Sequence, residues 1–143
     1  HKMDGAHFCF EITETSAITN ISTARQTIDE IRNLGSRIAL DDFGTGMSSY
    51  GYLRELPIDY LKIDGSFVRN IVNNSVDYAF VKSIKDIAEA MDIKTVAEWV
   101  EDEEILCCLQ SIGITYGQGF GISKPLCRQA LLDSNDDIKQ ALG

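Results

Sequence analysis

Asp41-Asp42-Phe43-Gly44-Thr45-Gly46 places two adjacent carboxylates before a glycine-rich turn, directly after the apolar run Ile38-Ala39-Leu40. Two carboxylates at the end of a buried strand repel each other unless a proton or a cation relieves them. Hard divalent ions with oxygen ligands, Mg²⁺ or Mn²⁺, suit such a pair. Asp and Gly are also ordinary turn formers, so the hexapeptide alone leaves a metal site and a plain turn both open. Further polar residues recur in comparable places. Glu11 lies in Phe8-Cys9-Phe10-Glu11-Ile12, and Lys62 and Asp64 lie in Leu61-Lys62-Ile63-Asp64. Glu98 follows the run Lys94 to Ala97, and Gln118 follows Ile114 to Tyr116.

These residues need a scaffold, and the chain alternates strand and helix patterns. Phe8 to Ile12, Arg37 to Asp41, Tyr60 to Ile63, Lys94 to Ala97 and Ile114 to Tyr116 read as strands. Between them, Ser22 caps a helix carrying Ala24, Ile28, Ile31 and Leu34, with Gly35 past its end. A short helix around Ser48 to Leu56 ends at Pro57. Ser75 to Met91 carries Val76, Phe80, Ile84, Ile87, Ala88 and Met91 along one stripe. A helix from about Asp102 carries Ile105, Leu106, Leu109 and Ile112 and stops at Gly113, and a last one is expected around Arg128 to Leu132. Strands separated by helices imply parallel pairing and an α/β fold, with a doubly wound sheet and a (β/α) barrel both open.

Strand alternation sharpens the picture. Glu11 lies opposite Phe8, Phe10 and Ile12, Asp41 opposite Ile38 and Leu40, and Lys62 and Asp64 opposite Ile63. Glu98 shares a face with Val96, and Gln118 with Tyr116. If the apolar faces meet the helices, the polar groups converge at the C-terminal strand ends, where α/β enzymes bind ligands. Each residue also has a plain reading: Asp64 before Gly65 caps a turn, and Glu101 starts the following helix.

The 143 residues suit one domain, and 44% hydrophobic with 24% charged is globular rather than disordered. A net charge of −9 argues against DNA or other nonspecific nucleic-acid binding, but not against an anionic substrate held through metal ions. No apolar run approaches the ~20 residues of a membrane span, and no signal peptide is visible, so a cytoplasmic location is expected. Cys9, Cys107, Cys108 and Cys127 show no C-x-x-C spacing, and reduced thiols are expected, Cys9 as a buried small hydrophobe.

In these motifs the sequence resembles the EAL-domain family of cyclic di-GMP phosphodiesterases. The matches are Glu11-Ile12-Thr13-Glu14, Asp41 to Gly46, Leu61-Lys62-Ile63-Asp64, Ala97-Glu98-Trp99-Val100-Glu101, and Gln118-Gly119-Phe120 with Lys124-Pro125-Leu126. The resemblance implies a TIM-like barrel that hydrolyses cyclic di-GMP to linear pGpG at a two-metal site loaded with Mg²⁺ or Mn²⁺. It implies Glu11 and Asp41 as ligands of one metal, with Asp41 bridging to a second that Asp42 and Glu98 help hold. It casts Lys62 as the group that orients the attacking water, Gln118 as a polar neighbour and Glu14 as the anchor of the turn after Asp42. Asp64 and Glu101 are candidates for supporting positions. The turn from Phe43 to Ser49 is the family's link to dimerisation.

Two departures stand out. Trp99 takes a position where the family usually has glycine, and Met47 replaces a common aromatic. The name-giving Glu-Ala-Leu segment and an asparagine-bearing strand do not occur in the 143 residues. A full barrel has eight strands in ~250 residues, so a partial barrel of about five strands is expected, residues 1–143 being the C-terminal portion of the domain. The first residue is His1, which suggests a fragment or processed form of a longer protein. Open sheet edges lead to an expectation of homodimers or other self-association, with little hydrolysis by the fragment itself. An upstream GGDEF or sensor domain is typical of the family, and a membrane-attached parent protein is compatible with the resemblance. The alternative function is a non-catalytic cyclic di-GMP-binding regulatory module.

Overall fold

The computed structural model describes residues 5–46 and 50–127. Its centre is a five-stranded parallel sheet in the order β1-β2-β3-β4-β5. The strands are β1 (Cys9–Thr13), β2 (Arg37–Phe43), β3 (Tyr60–Ile63), β4 (Lys94–Ala97) and β5 (Tyr116–Gly117). Each strand pairs with the next in sequence. A doubly wound sheet reverses its order at a switch point, whereas a barrel wall does not, so the strand order resolves the two α/β alternatives in favour of a partial barrel.

The connections carry α1 (Glu14–Thr19), α2 (Ile21–Asn33), α3 (Gly65–Val68), α4 (Ser75–Ala90) and α5 (Glu103–Ile112). Side chains set their starts. Thr13 caps α1, Asn74 accepts from Val76 N–H and Asp77 N–H at α4, and Asp102 accepts from Ile105 N–H at α5. Asn20 rather than Ser22 caps α2, because α1 runs almost to it and Asn20 Oδ1 reaches Thr23 N–H. Ile38, Leu40, Leu61 and Ile63 of the sheet are fully buried with Ile28, Val81, Ile84 and Ala88 of the helices.

Several expectations change. The segment Tyr50–Glu55 is a 3₁₀ helix, and residues 48 and 49 of that expected helix lie outside the described residues. Val76 and Leu34 stand 73% and 76% exposed at the ends of their stripes, where the core does not reach among the described residues. Cys9 is exposed, since β1 is an edge strand whose Phe8 and Phe10 flank is also open. All four cysteines are free. The expected helix at Arg128 to Leu132 and Met47 lie outside the described residues.

Candidate metal centre

The site forms where β1 to β4 end. In β2, Leu40 pairs with Leu61 but Phe43 pairs with Ile63, so three steps along β2 face two along β3. The extra residue is a bulge at Asp41-Asp42, and Asp42 takes φ 56°, in the left-handed region that Asp tolerates better than most residues. Strict alternation would send adjacent side chains to opposite faces. The bulge overrides it, and one carboxylate oxygen each from Asp41, Asp42 and Glu98 come within 4.8 Å of one another. Glu98 is fixed by extension of the ladder, its N–H donating to the Ile63 carbonyl at 3.2 Å.

Lys62 reaches into this acidic cluster from β3. Its Nζ lies 3.1 Å from Glu11 Oε2, 2.7 Å from Asp41 Oδ1 and 2.8 Å from Glu98 Oε1, with the side chain 7% exposed. Burial alone would lower the Lys62 pKa, but the contacts to Asp41, Glu98 and Glu11 outweigh it and hold the ammonium charged. Burial raises the Glu98 pKa, the Lys62 charge pulls it back, and the Asp41 and Asp42 charges push it up again. Asp41 Oδ1 is buried and makes no directed hydrogen bond; its contact with Lys62 is one of charge and distance alone. A buried oxygen with spare lone pairs beside two more carboxylate oxygens is the donor set of a hard divalent cation, so these residues fit Mg²⁺ or Mn²⁺.

The turn after the aspartates is held from below. Glu14, 1% exposed, accepts from Gly44 N–H at 3.1 Å and Gly46 N–H at 3.3 Å through Oε2. Its Oε1 accepts from the Tyr52 hydroxyl at 2.5 Å. Gly44 has φ 104°, and a Cβ there would fall 2.9 Å from both Phe67 and Phe80, so the close-packed turn requires glycine. Tyr52 left no signal in the sequence pattern, its partner being 38 residues away.

A family model described as the EAL domain matches residues 1–125. The chain belongs to the EAL-domain family. It is 57% identical over 117 residues to the cyclic di-GMP phosphodiesterase PdeB of Shewanella oneidensis, a match covering 82% of this chain and 14% of that protein. The PaMucR phosphodiesterase, solved as a c-di-GMP complex, superposes with a TM-score of 0.86 at 34% identity, over 92% of this chain and 53% of that one. BlrP1 of Klebsiella pneumoniae, in a manganese and cyclic di-GMP complex, gives a TM-score of 0.78 at 36% identity, over 82% and 30% of the two chains. This EAL-domain chain therefore spans a minor part of the curated relative's length and about half of the PaMucR chain.

The remaining sequence-derived positions of this EAL-domain chain separate. Glu11 meets Lys62 beside Asp41 and Glu98, but is not one of the three carboxylates whose oxygens all lie within 4.8 Å of one another. Gln118 and Glu101 line a cavity of about 300 Å³ with Glu98, Trp99, Gly119 and Phe120. Gln118 is placed by its backbone, donating to the Ala97 carbonyl at 2.8 Å and accepting from Val100 N–H at 3.1 Å. Asp64 caps α3, accepting from Ser66 N–H at 2.9 Å and from the Ser66 hydroxyl. Trp99 has φ 56° and is half-exposed, and the Arg69 guanidinium sits 3.6 Å from its ring centroid. Nothing in the sequence pattern linked Arg69 to Trp99. Among the described residues, no helix is long and apolar enough to cross a membrane.

Proposed function

We propose that this chain is the C-terminal portion of an EAL domain that hydrolyses cyclic di-GMP to linear pGpG by a two-metal mechanism. The observation that carries the reading is the convergence of Asp41, Asp42 and Glu98 at the mouth of a parallel sheet, with Lys62 among them. The names of PdeB and PaMucR support the substrate. Asp41, Asp42 and Glu98 would hold one Mg²⁺ or Mn²⁺, and Glu11 with Asp41 part of the shell of the other. Bound, the ions supply an activated water and charge neutralisation at the leaving oxygen.

The chain's own residues do the positioning. Lys62 carries a fixed positive charge on a buried stem and orients the attacking water toward the scissile phosphate. Glu14 fixes the turn that presents Asp41 and Asp42. Gln118 and Glu101 supply polar groups to the cavity beside Glu98. Because the Glu-Ala-Leu segment and the asparagine strand are not among the 143 residues, the isolated polypeptide binds metal weakly and turns over little substrate. Its β1 and β5 edges, unpaired among the described residues, favour self-association.

Mn²⁺ titration followed by electron paramagnetic resonance, alongside a pGpG assay, tests the reading. Binding that is weak in the wild type and lost in Asp42→Asn is expected. Absence of Mn²⁺ binding at millimolar metal would overturn the site, and substantial metal-dependent pGpG formation would overturn the incompleteness. A stable monomer by light scattering would remove the self-association.

A further inference from the structure

Trp99 is a costly residue where it stands. A bulky side chain at φ 56° is a backbone outlier, a type of strain that persists only where the surroundings impose it. The surroundings here are specific. A Cβ on Gly65 would fall 2.1 Å from Trp99 Cδ1, so the indole lies directly on the Gly65 backbone, which leaves it room. Arg69 stacks its guanidinium 3.6 Å from the ring centroid. The indole is thus clamped by a backbone and a cation, yet 49% of the residue stays exposed. An indole recruited only to fill space would be covered.

The exposed part borders the cavity of about 300 Å³ that begins at Glu98 and holds a second ring, Phe120, 65% exposed. A cavity of that size is at the lower end for a small-molecule site. Two aromatic side chains lining one cavity with the carboxylates of Glu98 and Glu101 suit a flat, hydrogen-bonding heterocycle better than a sugar or a bare phosphate. A held aromatic surface beside a phosphate-cleaving centre is a stacking platform for a base.

We propose that Trp99 stacks against a guanine base of the dinucleotide substrate and so sets its register relative to the carboxylates, with Gly65 and Arg69 holding the indole in place. The proposal rests on the phosphodiesterase reading for the identity of the base. Its residues all lie in the described chain, so the 143-residue protein tests it directly.

Trp99 is the single tryptophan, so its fluorescence reports contact without a label. Cyclic di-GMP and GMP, each to millimolar concentration, are titrated against the wild type by fluorescence and calorimetry. Saturable quenching is expected. Trp99→Gly should bind about tenfold more weakly by calorimetry, the loss of roughly one base stack. Trp99→Phe, which keeps a ring, should retain most of the affinity and guards against a folding defect in the glycine variant. Gly65→Ala should weaken binding in the wild-type background and have a much smaller effect in Trp99→Gly, because the three atoms nearest an added Cβ all belong to Trp99. Binding without quenching, or equal affinity in Trp99→Gly, overturns the proposal and leaves the phosphodiesterase reading intact. No nucleotide binding with Mn²⁺ binding preserved also overturns it while sparing the metal site. Quenching that persists when Mn²⁺ binding is absent supports the stack and removes the metal-site reading instead.

Discussion

Lys62 and Trp99 both adjoin Glu98, and they are themselves held in opposite ways. Lys62 is 7% exposed on its side chain and sits within 3.1 Å of three carboxylates. Trp99 follows Glu98 in the chain, is half-exposed, and is fixed by one cation contact and one glycine. In the first region a buried ammonium is balanced by the partly buried carboxylates of Asp41 and Glu98 and by the half-exposed Glu11, so each partner depends on the others. In the second, local strain is offset by local packing, so little else depends on it. A centre built the first way resists change until one partner is removed, and then loses much. A corner built the second way can be altered cheaply, which is where a chain can vary its substrate contacts without risking its fold.

The largest expected effect comes from breaking the balance of the first region. Lys62→Met keeps most of the stem volume and removes the only cation within reach of Glu11, Asp41 and Glu98 among the described residues. Leaving a buried charge without its partner costs about 3–5 kcal/mol, and the partial exposure of Asp41 and Glu98 puts the expected loss toward the low end of that range. Urea unfolding in chelator should show that loss. Mn²⁺ should then stabilise the variant more than the wild type, because the ion supplies the missing charge. Equal stability of the two proteins in chelator would mean that Lys62 does not balance the carboxylates.

A smaller effect is expected at the support of the same region. Glu14→Ala removes one buried carboxylate that accepts from Gly44 N–H, Gly46 N–H and the Tyr52 hydroxyl. Charge-assisted hydrogen bonds are worth about 1.5–3 kcal/mol, and a loss of about 3 kcal/mol is expected because the turn amides can turn to water. Hydrogen exchange at Gly44 and Gly46 should rise faster than in the sheet. If protection there is unchanged, the turn is held by Phe67 and Phe80 packing alone.

What was legible in the sequence follows the same division. The strand and helix pattern is a local property, so Lys94 to Ala97 and the α4 and α5 starts were readable from periodicity and caps. The polar residues at strand ends were readable for the same reason. Strand order was not legible in the periodicity, because pairing is set between segments far apart in sequence; the partial barrel came from the resemblance of the motifs, and the observed order agrees with it. Asp41 and Asp42 were named together by the motif, but how they meet was not legible: alternation predicts opposite faces, and only a bulge against β3 reverses that. The 3.6-residue period identified the α4 stripe but not how far the sheet reaches beneath it, so Val76 was expected inside and stands outside. Tyr52 and Arg69 act on residues that the sequence singled out, Glu14 and Trp99, and neither link leaves a spacing signature.

The smallest effect is expected at the corner, and its smallness is informative. Trp99→Gly relieves a left-handed conformation that costs of order 1–3 kcal/mol for a bulky residue. It also removes a cation–π contact worth about 0.5–1 kcal/mol at an exposed site, and adds the backbone entropy of glycine, about 0.5–1 kcal/mol. The terms oppose one another, so a net change within about 1 kcal/mol is expected by thermal or urea unfolding. The contrast with Lys62→Met then becomes a measurement of the two designs. Were Trp99→Gly to destabilise by as much as Lys62→Met, the indole would be a structural prop of Glu98, and its exposure would need no ligand to explain it. A near-neutral change leaves the strain without a stability reason, and places the purpose of the exposed ring in what it touches from outside the chain.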